Sequence, residues 1–335
     1  IFNEAMDSLS LVNSTFYVPG YPVDELTVSG DLHEVLIVKL IEELPLGAYY
    51  SFSISGAKDC TGTSMSDTTF VVGLGKEPLP GDLLITEIMA DPDPQVGLPS
   101  AEYIEIFNNT DAPIALDSVR FRDDNSSRLI GDVVIEDSTY AILVDIDDAE
   151  SFTELGVENV IGLEDWPSLT NSGEHISLTT DVVIDEAQYD SDWFLDPEKK
   201  SGGYSLEIIN PNGECPGASN WGGSVDVSGG TPGRRNSIYN EGPDAVKPVV
   251  TSFEVIDSQT LRFTFNEVMD SLSLLSANIE GVTVVSRSVS GENRQVLTVG
   301  LIVPLAEDEV VEILISEAAD CSGNIMDPAT FEVAI

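Results

Sequence analysis

Residues 2–11 read FNEAMDSLSL and residues 265–274 read FNEVMDSLSL, so one ten-residue phrase is written twice with a single change, Ala5 to Val268. The echo continues downstream at a constant offset of 261. VLIV at 35–38 answers VLTV at 296–299, and GAKDCTG at 56–62 answers EAADCSG at 317–323. The opening phrases are offset by 263, so two residues are gained or lost between them, as a loop varies inside a duplicated unit. A duplication constrains the fold strongly. Each copy must close a core of its own, and the unrelated stretch between them must close a third.

The second copy shows what the unit contains. Leu261, Phe263 and Phe265 alternate with Arg262 and Thr264, the period of two of a half-buried strand. Further strands are expected at 282–286, 295–302 and 310–315. Short strands broken by Gly, Pro, Asn and Asp predict antiparallel sandwiches, and no helical periodicity is sustained. Asp7 and Asp270 are expected to bond to their own backbone in a turn. The first copy has no counterpart of residues 250–263, which predicts a unit lacking its first strand and most of its second.

The run Phe265-Asn266-Glu267-Val268-Met269-Asp270, the later Pro304-Leu305, and Asp320-Cys321-Ser322-Gly323-Asn324 resemble the bacterial Ig-like module of surface-layer proteins. The first copy keeps most of this pattern but has Thr63 where the second has Asn324. Between the copies, LLITEIMADP at 83–92, EYIEIFNN at 102–109, WPSLTNSG at 166–173, GYSLE at 203–207, Asn220-Trp221 and GTPGRRNS at 230–237 are similar to the lamin tail domain. These resemblances imply an all-β chain of three Ig-like antiparallel sandwiches in tandem, the first truncated at its N-terminus. The expected domains are 1–77, 80–240 and 246–335. Linkers fall at 73–81 and at 239–248, the latter with Gly242, Pro243 and Pro248.

Charge narrows the function classes. The 14 Lys and Arg stand against 59 Asp and Glu, a formal net charge of −45. Such a field opposes phosphate backbones and anionic lipid heads and attracts divalent cations, so no nucleic-acid partner and no membrane insertion are expected. No run of about 18 apolar residues occurs either. The three cysteines, Cys60, Cys215 and Cys321, are expected as free, buried thiols, because Cys60 and Cys321 hold matching places in separate units.

Catalytic patterns are scarce. His33 and His175 stand alone in strand-like stretches, and no nucleophile elbow, zinc helix or phosphate loop is present. Acid pairs such as Asp123 with Asp124 could serve a glycosidase but arise by chance among so many acids. The chain is therefore expected not to be an enzyme. Metal chemistry reads better: Asp91 and Asp93 in a proline-stiffened loop, and Asp145, Asp147 and Asp148 in a second cluster, offer the oxygens that calcium takes. The family resemblance implies an extracellular or cell-surface protein that acts, as a monomer, as a structural and adhesive scaffold for other surface proteins or glycans. The alternative is an accessory region of a larger secreted enzyme, such as a nuclease or phosphoesterase, with its catalytic domain elsewhere.

Overall fold

The computed structural model describes every residue except 195, 214–219, 243, 292–293, 307–309 and 335. Cys215 and Pro243 thus lie outside the described residues. Antiparallel sheets dominate from end to end. The one parallel pairing among the named strands joins Tyr140–Asp145 to Val160–Leu163, bridged by the short helix Ala149–Glu154.

In the second copy a four-stranded sheet runs in the order Val250–Asp257, Thr260–Phe265, Val296–Leu301, Val284–Ser290. A three-stranded sheet runs Asn278–Glu280, Val310–Ser316, Ala329–Ala334. Leu261, Phe263, Phe265, Leu297, Val299, Ile313 and Ile315 project from both sheets into one core, as the alternation predicts. The first copy repeats the three-stranded sheet as Thr15–Tyr17, Ala48–Ser55, Thr68–Leu74. Opposite it stands only the hairpin Val23–Ser29 with Val35–Leu40, the counterpart of two of the four strands. Met6, Leu11 and Ala57 cluster there with partly buried neighbours, and Val18, Tyr50 and Ile54 are buried outside that cluster.

The repeated phrase forms the same object twice. Asp7 caps the helix Ser8–Val12 by accepting from the Leu9 N–H, and Asp270 caps Ser271–Ser276 by accepting from the Leu272 N–H. Met6 bridges to Asp59 and Met269 to Asp320, and both methionines are buried. The Cys60 N–H donates to the Ala5 carbonyl at 3.0 Å, and the Cys321 N–H to the Val268 carbonyl at 3.1 Å. The turn beyond each cysteine needs a left-handed residue, supplied by Gly62 (φ 90°) and Gly323 (φ 87°).

Two expectations are corrected here. The thiols are not both free and buried: Cys60 is free but exposed, and Cys321 is disulfide-bonded. Backbone equivalence does not carry side-chain equivalence: the same turn leaves one thiol exposed and the other bonded. His33 sits not in a strand but in a turn at φ 58°, the place of Arg294 (φ 55°) in the second copy.

The middle segment stacks a six-stranded sheet on a four-stranded one. The first runs Val160–Leu163, Tyr140–Asp145, Tyr103–Asn108, Leu83–Met89, Leu206–Ile208, Trp221–Gly223. The second runs Ser127–Leu129, Arg120–Arg122, Gly173–Thr179, Val183–Asp190. Ile85, Ile88, Ile104, Ile106, Leu143, Phe121, Ile176 and Leu178 fill the space between them. The outer face of the six-stranded sheet is buried as well. Met89, Tyr103, Ile142 and Val144 lie there under Phe152 of the short helix and Leu98 and Val157 of the loops. A β-bulge between Ile85 and Glu87 turns Glu87 onto that outer face.

Candidate functional site

Three phrases in the middle segment, Thr86-Glu87-Ile88, Ile104-Glu105-Ile106 and Leu206-Glu207-Ile208, set a glutamate directly before an isoleucine. Their strands are adjacent, and the register pairs Glu87 with both Glu105 and Glu207. Adjacent strands are about 4.8 Å apart, so three carboxylates stand in a row on the outer face. All three are fully buried.

A carboxylate removed from water needs hydrogen bonds to replace it. Glu87 Oε1 accepts from the hydroxyls of Tyr103 (2.7 Å) and Ser205 (2.5 Å) and from the Thr231 N–H (2.7 Å). Glu105 accepts from the Thr86 hydroxyl and the Gly233 N–H, each at 2.7 Å. Glu207 Oε2 accepts from the Ser237 hydroxyl (2.7 Å) and the Ile238 N–H (3.1 Å). Asn236 donates to the carbonyls of Thr86 and Ile208. The row thereby holds residues 231–238 across the sheet, and Gly230 must lack a side chain, since a Cβ there would lie 2.5 Å from Tyr103 Oη.

Burial first, and then the Glu207 charge, push Glu87 up to about 7. Burial and then Glu87 push Glu105 well above the usual carboxylate range. Thr231 Oγ1 lies 3.3 Å from Glu87 Oε2 and 2.9 Å from Glu207 Oε1, yet a hydroxyl has one hydrogen. A proton on Glu87 Oε2 would resolve the shortage, since Glu87 could then donate to Thr231 while Thr231 donates to Glu207. This is a structural network. Paired carboxylates cleave glycosides only where a sugar can lie between them, and these are sealed.

The acids expected to bind metal are placed differently. Asp93 accepts from the Ser100 hydroxyl at 2.7 Å, and the Asp91 carbonyl accepts from the Gly203 N–H. Asp145 accepts from the Asp147 N–H at 2.9 Å within its own turn. Asp148 starts the helix Ala149–Glu154 without a side-chain cap bond, and burial, then Asp145 and Asp147, raise its carboxyl. His175 lies 3.1 Å from Glu186 on one face of a strand pair. Asp123 accepts from the N–H groups of Asn125 and Ser126 in a hairpin turn.

Among the described residues, one group of three acids does bring its ligand atoms within 4.8 Å of one another: Asp244, Glu267 and Asp320. Glu267 comes from the repeated phrase and Asp320 from the cysteine turn, which the Met269 bridge to Asp320 holds together. Asp244 comes from the linker ahead of the second copy. Burial, then Asp320 and Asp244, push Glu267 up to about 7.

No family model matches the chain, and no curated protein matches it. Among solved structures it is similar to surface layer protein SbsC, domains 1-6, at 11% identity and TM-score 0.19, covering 99% of this chain and 51% of that one. The S-layer protein rSbsC aligns with the same coverage, identity and TM-score. The extracellular cadherin domains 1-4 of Protocadherin Gamma B7 align at 9% identity and TM-score 0.18, covering 96% of this chain and 66% of that one. The chain thus spans about half the length of the S-layer chains it matches.

Proposed function

We propose that this chain is a non-catalytic scaffold region of a secreted or cell-surface protein. Two bacterial Ig-like units act as spacers around a lamin-tail-like middle segment that engages other surface proteins or glycans. The observation that carries this reading is the fate of the most reactive-looking group in the fold. Glu87, Glu105 and Glu207 are sealed from solvent and hydrogen-bonded to the segment that covers them. A cleft of about 470 Å³ beside that segment, lined by Tyr140, Asn159, Glu158 and Arg234 among others, offers neither histidine nor thiol. A disulfide at Cys321 supports an oxidising, extracellular setting. No helix is long and apolar enough to cross a membrane.

The test is a panel of ester, phosphoester and glycoside substrates, with turnover expected at background. Turnover abolished by His175→Ala or Glu105→Gln in a folded variant would assign catalysis to this chain and end the proposal.

A further inference from the structure

We infer that Asp244, Glu267 and Asp320 form a calcium site that fastens the linker to the second Ig-like unit. The acids alone would not carry this. The second observation is Glu267 itself: only 7% exposed, it keeps Oε1 buried without a hydrogen-bond partner. A buried carboxylate oxygen left unpaired costs free energy that a cation or a donor returns, and ligand oxygens of two further acids, Asp244 and Asp320, lie within 4.8 Å of the Glu267 carboxylate. Three carboxylates within 4.8 Å are mutually repulsive without a counter-charge and supply up to six oxygens to a hard cation with one. Calcium fits better than magnesium, because it accepts carboxylates in irregular geometry while magnesium demands a near-ideal octahedron.

The surroundings are preformed. Asp320 is 1% exposed, with Oδ1 accepting from the Asn324 N–H at 2.8 Å and Oδ2 from the Asn324 side-chain amide at 2.9 Å. The same amide donates to the Asp244 carbonyl at 3.1 Å, so Asn324 already ties the linker to the cysteine turn. Beyond Asp244, Val249 and Asn266 exchange hydrogen bonds that seat the linker's end on the unit. A cation between the three carboxylates would close the remaining side.

The first copy supplies an internal control. Its matching turn has Thr63 for Asn324, and Asp59 Oδ1 is engaged by the Thr61 and Thr63 N–H groups and the Thr61 hydroxyl. Its Glu4 is exposed. No acid triple forms there among the described residues.

The experiment is calorimetric titration of the whole chain with calcium chloride at pH 7, beside thermal melting in calcium and in chelator, with sodium chloride matching ionic strength. The expected result is a saturable event with a Kd of about 0.1–1 mM, as extracellular calcium modules show. At tenfold excess, the melting temperature of the second unit should rise by roughly 5–10 °C. Asp244→Asn, in the linker and harmless to the core, should weaken binding at least tenfold. Glu267→Gln should do the same while melting higher than the parent in chelator, because it removes the repulsion. Asp59→Asn should leave the event intact. A wild-type chain with identical melting curves in calcium and chelator overturns the inference. So does an event that survives both Asp244→Asn and Glu267→Gln, or one that is lost instead with Asp145→Asn.

Discussion

Glu87→Ala should destabilise the middle segment by about 4–6 kcal/mol in urea denaturation. The substitution strands the Tyr103 and Ser205 hydroxyls and the Thr231 N–H, all buried, at about 1–3 kcal/mol each, and leaves a hole in a sealed layer. Glu87→Gln should cost under about 2 kcal/mol at neutral pH. Its amide oxygen still accepts at the Oε1 position, and its NH₂ group donates to Thr231 as the protonated acid does. The gap between the two substitutions separates a hydrogen-bonding role from a charged one. A Gln variant as damaged as the Ala variant would show that Glu87 acts as a carboxylate.

The chain should be most stable at mildly acidic pH, near 4–5, and lose stability as pH rises to 7. The sign follows from how tightly each state holds its protons. Glu87 is raised from 4.5 to about 7 and Asp185 from 3.8 to about 6, both first by burial. Each binds its proton more tightly in the folded state. The stability this contributes is fully present below the unfolded value and is lost as pH climbs through the folded one. Glu105 works in the same direction. A tenfold gain in proton affinity on folding is worth about 1.4 kcal/mol, so the combined loss across this window should reach several kcal/mol. At the acid end Asp226, held down to about 2 by the Ser228 hydroxyl and by Arg234, acts oppositely: its contribution is present above 3.8 and is lost as pH falls through 2. Denaturant midpoints measured from pH 3 to 8 check the profile. Glu87→Gln should flatten its neutral limb, and a maximum at pH 7 or above would refute the assignment.

Much of the fold is legible in the residues themselves. The duplicated phrase announces two equivalent units, and the apolar positions Leu261, Phe263 and Phe265 point inward as their alternation requires. The expected strands at 295–302 and 310–315 stand within a residue of Val296–Leu301 and Val310–Ser316. The absence of a counterpart to 250–263 shows as a two-stranded sheet where the second copy has four strands. The site is less legible. Glutamate is rarely buried without a partner, and nothing within the three Glu-Ile phrases at 87, 105 and 207 marks them as buried together. Only strand adjacency, which sequence does not display, reveals that they meet. Asp244, Glu267 and Asp320 are hidden for a related reason, since their contact joins a linker, a strand end and a turn far apart in the chain. Ile176, Ser177, Leu178 and Thr179 are all buried, although their apolar and polar side chains alternate. Asp7 and Asp270 are readable because helix capping is local.

The acids inside the middle segment act as struts that hold the covering segment closed over the carboxylate row. Amide hydrogen exchange on the intact chain tests it most directly. The Thr231 and Gly233 amides, bonded to Glu87 and Glu105, should exchange as slowly as those of the strand Tyr103–Asn108, through global unfolding alone. Exchange of Thr231 and Gly233 at the rate of an exposed loop, with Tyr103–Asn108 still protected, would show a covering segment that opens over a carboxylate row, and would contradict the account.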